Sequence, residues 1–362
     1  MITRKRFLKQ ALATGTGLYL SQSAFANIIL PQKKGKLGVA LVGLGYYSTD
    51  LLAPALQLTS QCELKGIVTG TPSKAETWKK VYGISDKNIY NYQNFDSIAD
   101  NREIDVIYIV LPPSMHAEYV IRAAKIGKHV WCEKPMAISV TECQQMIDAC
   151  NQNKVKLSIG YRMQHEPNTQ RIIRFRKELT YGKVLKAEAA AGYFDGRTNH
   201  WKQIKKLGGG SMYDMGVYPL NAARYSTGLE PIAVTAKQST TRPQIYTEVD
   251  ETMVFDLEFE GGVAAHCETS FGKNMNDLQV TCEKGWYKLS PFQGYSGIDG
   301  VTSDGIKLNA RIPNQQAKQM DEDALAIKNK TSVLVPGEEG LKDIRVVEAV
   351  YRSVKENKRV VI

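Results

Sequence analysis

The chain carries six cysteines in 362 residues and no Cys-x-x-Cys pair, which argues against a zinc ribbon or a thioredoxin-type redox motif. Cys143 and Cys150 fall on an expected helix at a spacing that suits two core positions. A chain of this length builds two cores without disulfide staples, so buried free thiols are expected. No run of five basic residues occurs, although the formal net charge is +10. The excess therefore reads as a solvated basic surface, with no nucleic-acid partner. There is no low-complexity tract, no internal repeat and no metal-ligand spacing.

An apolar stretch from Ala11 to Leu20 is too short to span a bilayer. It follows the basic segment Thr3-Arg4-Lys5-Arg6-Phe7-Leu8-Lys9 and precedes Ala24-Phe25-Ala26, a small-x-small cleavage site. Residues 1–26 therefore read as an export signal, removed from the mature protein, which then has no membrane attachment. The pattern resembles a twin-arginine signal, with Lys5 where the second arginine belongs, and leaves the general secretory route as the competitor. A periplasmic location follows, with the export machinery as a transient partner.

From Lys36 short β-rich runs alternate with amphipathic helices, the pattern of a parallel sheet covered on both faces. Strands are expected at 37–42, 63–68, 104–110, 129–132 and 156–159, with helices at 49–58, 75–81 and 115–126. This places a dinucleotide-binding domain of the Rossmann type at 36–160. The remainder, 161–362, opens with helices at 167–179 and from the glycine hinge through Arg224, then turns to strand runs at 251–260, 263–270 and 278–289. The turn Glu260-Gly261-Gly262 signals an antiparallel hairpin. The fold class is thus α/β, with a C-terminal α+β domain built on a large, open, mostly antiparallel sheet. A helix at 341–356 is expected to pack back on the first domain.

Gly43-Leu44-Gly45-Tyr46-Tyr47-Ser48 follows a strand and opens a helix, the context a dinucleotide fingerprint requires. Gly43 permits the tight turn and Gly45 lets backbone approach a pyrophosphate, while Ser48 replaces the third glycine. Enzymes that take NAD usually carry an acid at the end of the second strand. Here that segment reads Val68-Thr69-Gly70-Thr71-Pro72-Ser73-Lys74 and has none. Small hydroxyls and a lysine suit the 2′-phosphate of NADP, unless Ser73 merely caps the next helix and Lys74 is solvated.

Cys132-Glu133-Lys134-Pro135 lies at a strand's carboxyl end, where ligands bind in open α/β sheets. Lys134 can polarise a carbonyl or hold a sugar hydroxyl as hydride leaves its carbon. In Gly208-Gly209-Gly210-Ser211-Met212-Tyr213-Asp214-Met215-Gly216-Val217-Tyr218 the carboxylate of Asp214 and the phenol of Tyr218 are four residues apart, so a helix puts them on one face. Tyr218 can take a hydroxyl proton if a cation stabilises its phenolate, a role open to Lys134, with Asp214 orienting the substrate. The bland alternative has Tyr218 packed in the core and Asp214 capping a turn. Arg162, after Gly160-Tyr161, reads as a cofactor or substrate contact, and His200-Trp201 as a substrate-facing loop or a packed aromatic.

In this order the motifs resemble the Gfo/Idh/MocA oxidoreductase family, most closely its glucose–fructose branch. The resemblance covers nearly the whole mature chain and is most specific at Leu111 to Glu118, Cys132 to Ala137 and Gly208 to Pro231. It implies that Lys134, Asp214 and Tyr218 form the catalytic group. Lys74, Tyr92, Leu111, Pro112, His116, Glu133 and Arg162 would line the NADP site with Gly43 and Gly45, the flanking Tyr46, Thr69 and Gly70 completing it. Lys134, Arg162, Trp201, Asp214 and Tyr218 would face the sugar. Homo-oligomers built on the exposed sheet face are also implied.

An exported nicotinamide enzyme has no soluble cofactor pool, so tightly bound NADP carried through export is expected. One sugar must then reoxidise what another reduced: an aldose is oxidised at C1 to its lactone, and a second sugar takes the hydride to become an alditol, in ping-pong order. The rivals are a sugar or inositol dehydrogenase with exchangeable NAD(P), an NAD-dependent glycosidase, and a non-catalytic sensor. Contacts that choose the sugars come from loops, notably around His200 and from Pro291 to Gly300.

Overall fold

A computed structural model describes residues 35–362, so the expected export signal lies outside the described residues. The described residues form one compact unit. The chain enters on β1 (Leu37–Val42), whose six residues are all buried, as the central strand of a sheet covered on both faces must be. With β2 (Cys62–Val68), β3 (Ile89–Tyr90), β4 (Val106–Ile109), β5 (His129–Cys132) and β6 (Leu157–Ile159) it forms a six-stranded parallel sheet in the order β3-β2-β1-β4-β5-β6. The order reverses between β1 and β4, which opens a crevice at the strands' carboxyl ends.

The crossovers carry α1 (Ala53–Leu56), α2 (Pro72–Tyr82), α3 (His116–Lys125) and α4 (Val140–Gln152). The helix expected at 49–58 is split: a wide π-type turn at Tyr47–Leu52 precedes α1. Pro54 has no N–H to continue the tighter ladder, which favours the wider turn before it. The two-residue strand β3 has no counterpart in the sequence reading, because so short a run shows no periodicity.

The second sheet has nine strands: β7 (Val184–Gly192), β8 (Pro231–Ser239), β9 (Thr252–Phe259), β10 (Ala264–Ser270), β11 (Met275–Cys282), β12 (Gly285–Leu289), β13 (Gly300–Thr302), β14 (Lys307–Leu308) and β15 (Val360–Val361). Their order is β14-β13-β12-β11-β7-β10-β9-β8-β15, antiparallel except where β10 runs parallel to β7. The run expected as one strand at 278–289 is a hairpin, with Cys282 paired to Gly285 across its turn. Gly285 adopts φ 153°, and a Cβ there would meet the Ser303 hydroxyl at 2.3 Å.

On this sheet and between the two lie α5 (Pro167–Lys177), α6 (Val217–Thr227), α7 (Gln315–Lys328) and α8 (Gly337–Glu356). α7, absent from the sequence reading, sends Ala317, Met320 and Ala324 into the same apolar cluster as Leu41, Leu52 and Trp131. The last part of the chain thus completes one face of the first sheet. α8 packs on β8 and also on α4. Arg224 of α6 ties to α8 through Asp343, whose Oδ1 accepts from Nη1 at 2.5 Å, and through Glu339 at 2.8 Å. All six cysteines are free and buried. Among the described residues no helix is long and apolar enough to cross a membrane, and no His/Cys/Asp/Glu cluster could hold a metal.

Candidate active site

The turn after β1 is the floor of a cleft of about 670 Å³. Gly43 has φ 88°, and a Cβ there would strike the Val110 carbonyl oxygen at 2.4 Å, so only glycine fits. A Cβ on Gly45 would meet nothing within 4 Å, because this glycine faces the open cleft. Its bare backbone is the approach a pyrophosphate requires. Ser48 is fully buried and its hydroxyl donates to the Gly43 carbonyl at 2.5 Å. The serine in place of the third glycine therefore staples the turn from within.

Thr69, Gly70 and Lys74 stand on the adjoining wall, with no carboxylate between 68 and 74. The Lys74 ammonium donates to the Leu44 carbonyl at 2.9 Å, which holds the cation at the mouth of the glycine turn. The N-cap of α2 is Thr71, without a side-chain cap bond, so Ser73 does not serve as the cap. Ser73 and Lys74 share a shallow outer depression with exposed Tyr46 and with Asp50. Tyr92 packs so close to Gly70 that a Cβ would lie 3.1 Å from its ring. Cation, hydroxyls and open backbone fit a dinucleotide with a 2′-phosphate, which would rest on Gly43 to Tyr46 and reach Lys74.

Leu111 and Pro112 line the cleft at the end of β4. His116 does not: it is 1% exposed, and its ring nitrogens lie 2.8 Å from the Leu111 carbonyl and 3.0 Å from that of Pro135. Burial lowers its pKa against the pull of these carbonyls, and the ring packs between both wall segments from behind. Glu133 sits at the inner wall, where its carboxylate accepts from the Tyr108 hydroxyl at 2.6 Å. Burial pushes its pKa up to about 7, against the opposing pull of Tyr108 and Lys134.

The segment after the glycine hinge begins with a second wide π-type turn, Met212–Gly216, ahead of α6 and its Pro219. Asp214 and Tyr218 both line the cleft, although they are divided between the wide turn and α6 and not on one regular helix face. Lys134 Nζ donates to the Asp214 backbone carbonyl at 2.7 Å and lies 3.9 Å from Oδ1. The same ammonium stands 4.5 Å from the Tyr218 ring centroid. Asp214 Oδ2 accepts from Lys202 Nζ at 2.6 Å and from the Tyr193 hydroxyl at 3.3 Å. Burial alone would raise the Asp214 pKa, but Lys202 and then Lys134 hold it below the usual carboxylate value.

Tyr218 is 7% exposed and burial pushes its pKa up to about 12. The cation that opposes this rise is Arg162, with Glu133 and Asp214 adding to it. Lys134 Nζ lies 4.5 Å and the Arg162 guanidinium carbon 6.0 Å from the ring centroid, so two cations stand by the phenol. Arg162 itself is 1% exposed and off the cleft wall. Its Nη2 donates to the Gln293 carbonyl at 2.7 Å and Nη1 to Gln315 Oε1 at 3.0 Å.

Trp201 is on the wall, as are His200 and Arg197. Arg197 is paired with Asp195 through Nε and Nη2 at 2.8 and 2.7 Å. The sequence reading missed Lys202 and Tyr193, which meet Asp214, and did not single out Tyr47 within the glycine fingerprint or Tyr295 within the 291–300 loop. Lys202 adjoins the His200-Trp201 pair already singled out, yet no spacing links it to Asp214.

A model of an oxidoreductase family with an NAD-binding Rossmann fold matches residues 37–161, and the Gfo/Idh/MocA C-terminal domain matches residues 169–288. The structure of aldose-aldose oxidoreductase from Caulobacter crescentus, complexed with glycerol, superposes with a TM-score of 0.87 at 37% identity, covering 90% of this chain and 100% of that one. D-xylose 1-dehydrogenase [NADP(+)] of Haloarcula marismortui is 27% identical over 87% of this chain and 90% of its own. Inositol 2-dehydrogenase of Rhizobium meliloti is 23% identical over 91% of this chain and 98% of its own. The glycine turn, the lysine at the end of β5, the Asp214/Tyr218 segment and these matches agree: the chain belongs to the Gfo/Idh/MocA oxidoreductase family.

Proposed function

We propose that the protein is a sugar oxidoreductase that keeps NADP bound, oxidises an aldose at C1 to its lactone and reduces a second sugar to an alditol. The observation that carries this is convergence: Lys134, Asp214 and Tyr218 meet at the inner end of the cleft that the glycine turn opens. NADP supplies the hydride acceptor and donor. The chain's own residues supply the proton chemistry. In the oxidative half the C1 hydroxyl proton passes to the Tyr218 phenolate; in the reductive half the Tyr218 phenol returns it to the carbonyl oxygen of the second sugar. Proton and hydride are both handed back, so the cycle closes without net change. Arg162, 6.0 Å from the ring centroid, and Lys134 at 4.5 Å stabilise the phenolate stage. Asp214, anchored by two lysines, accepts from a sugar hydroxyl.

Lys74 without a competing acid at the end of β2 and the relative named as an NADP(+) D-xylose 1-dehydrogenase support NADP; the aldose-aldose relative and an N-terminal segment fit for export of a folded protein support its retention. A periplasmic location belongs to the same reading. Leu185, Ile232, Trp286 and Val301, exposed on the second sheet, support a homodimer or tetramer.

The test is an absorbance and fluorescence spectrum of extensively dialysed protein with no added cofactor. A reduced-nicotinamide signal on adding glucose, reversed by fructose or a second aldose, supports the proposal. A signal that needs added NADP or NAD identifies an exchanging dehydrogenase. Release of an aglycone without net redox change identifies glycosidase chemistry.

A further inference from the structure

The strand pair β12–β13 is joined by a loop that leaves the second sheet and reaches the first sheet's glycine turn. Its backbone is bolted at several points. Asn276 Oδ1 accepts from the Phe292 and Gln293 amides at 3.0 and 3.1 Å. The Gln293 carbonyl accepts from Arg162, and the Gly294 carbonyl accepts from Gln315 Nε2 at 3.0 Å. Phe292 is buried at 1% exposure, which anchors the loop's start in the core. Yet Tyr295, three residues on, is 46% exposed. A large ring held out by a fixed backbone is placed there by the fold and not by looseness.

Tyr295 stands in the cleft wall and faces Tyr47, the first residue of the wide turn after Gly43-Leu44-Gly45-Tyr46. The two ring centroids are 6.3 Å apart at 45°, contact distance for a tilted aromatic pair. The centroid of the Tyr295 ring also lies 4.3 Å from the Arg162 guanidinium carbon. Both tyrosines line the cleft that also holds Gly43, Gly45, Lys134 and Tyr218. We propose that Tyr295 is a cofactor-binding residue that closes over the bound dinucleotide against Tyr47, with buried Arg162 as the pin that fixes its loop. The inference rests on the reading of this cleft as an NADP site, and it gives that reading a physical means of retention. A bound dinucleotide could leave by this side only if the aromatic pair parted.

The test uses Tyr295→Ala and Tyr295→Phe in the full-length protein, exposed positions that leave the core intact. The bound cofactor is first reduced with glucose, release of NADPH is followed by its nicotinamide fluorescence after dilution, and affinity by titration of cofactor-stripped protein with NADPH. Tyr295→Ala is expected to release NADPH about tenfold faster, the loss of roughly one aromatic contact, and Tyr295→Phe to stay within about threefold of the parent. Equal release from Tyr295→Ala and the parent overturns the inference, as does a Tyr295→Phe variant that behaves like Tyr295→Ala. If the parent itself loses NADP on dialysis, the retention reading falls, while the ratio of affinities still decides the role of Tyr295.

Discussion

Lys202 Nζ lies 2.6 Å from Asp214 Oδ2, and this ion pair is what fixes the carboxylate beside Lys134. Lys202 is 20% exposed in its side chain and Asp214 13%, so the pair is shielded from solvent. Replacing Lys202 with Met removes the largest charge that keeps Asp214 ionised. Asp214 should then protonate at higher pH, and the acid limb of the kcat/KM profile should move upward. A carboxylate released from its anchor should also lower kcat by about 100-fold. Lys202→Arg, which restores the charge, should recover part of both effects; steady-state pH profiles of the three proteins check this.

Tyr218→Phe removes the only atom of that residue able to carry the proton while keeping the ring under Lys134. The rate of sugar-driven cofactor reduction should fall by about 100- to 10,000-fold. NADP occupancy should not change. Stopped-flow absorbance and the bound-cofactor ratio measure the two separately.

Lys74→Ala tests cofactor choice, because Lys74 is the cation held at the mouth of the turn. A charge-assisted contact to the 2′-phosphate is worth about 1.5–3 kcal/mol, so NADP affinity should drop by about 10- to 100-fold. NAD affinity should change by less than about threefold. Fluorescence titration with both dinucleotides gives the comparison.

Glu133 binds its proton more tightly in the folded protein, at about 7, than in the unfolded chain, near 4.5. Its stabilising contribution is therefore complete below about pH 4.5 and is lost as pH rises through about 7. Glu133→Gln has no such dependence. Between those limits the parent should lose about 2–3 kcal/mol relative to the variant. Urea unfolding across pH at matched cofactor saturation measures it.

Arg224→Met leaves Asp343 buried without its ion-pair partner, with Asn221 still donating to it, and should cost about 3–5 kcal/mol in urea unfolding. Adding Asp343→Leu removes the stranded charge and should restore much of the loss.

The first sheet and its glycine turn were legible in the sequence because a buried parallel strand is a continuous apolar run, and a fingerprint is local. Gly43, Gly45, Lys134, Asp214 and Tyr218 were visible for the same reason: their chemistry shows at short range. The strand β7 and helix α7 were not, since Val184 to Gly192 is rich in alanine and α7 completes a sheet far away in sequence. His116 and Arg162 were read as cleft residues. Only packing shows that one braces the wall and the other pins a loop, because burial is a property of neighbours and not of residue type. Lys202 and Tyr295 reach the site from the second half, on loops with no motif of their own. Thus the sequence determined the sheet that opens the cleft and the groups able to move a proton. Which cation anchors Asp214, which cations stand by the Tyr218 ring, and what faces Tyr47 were decided by long-range contacts that form only when both sheets are folded together.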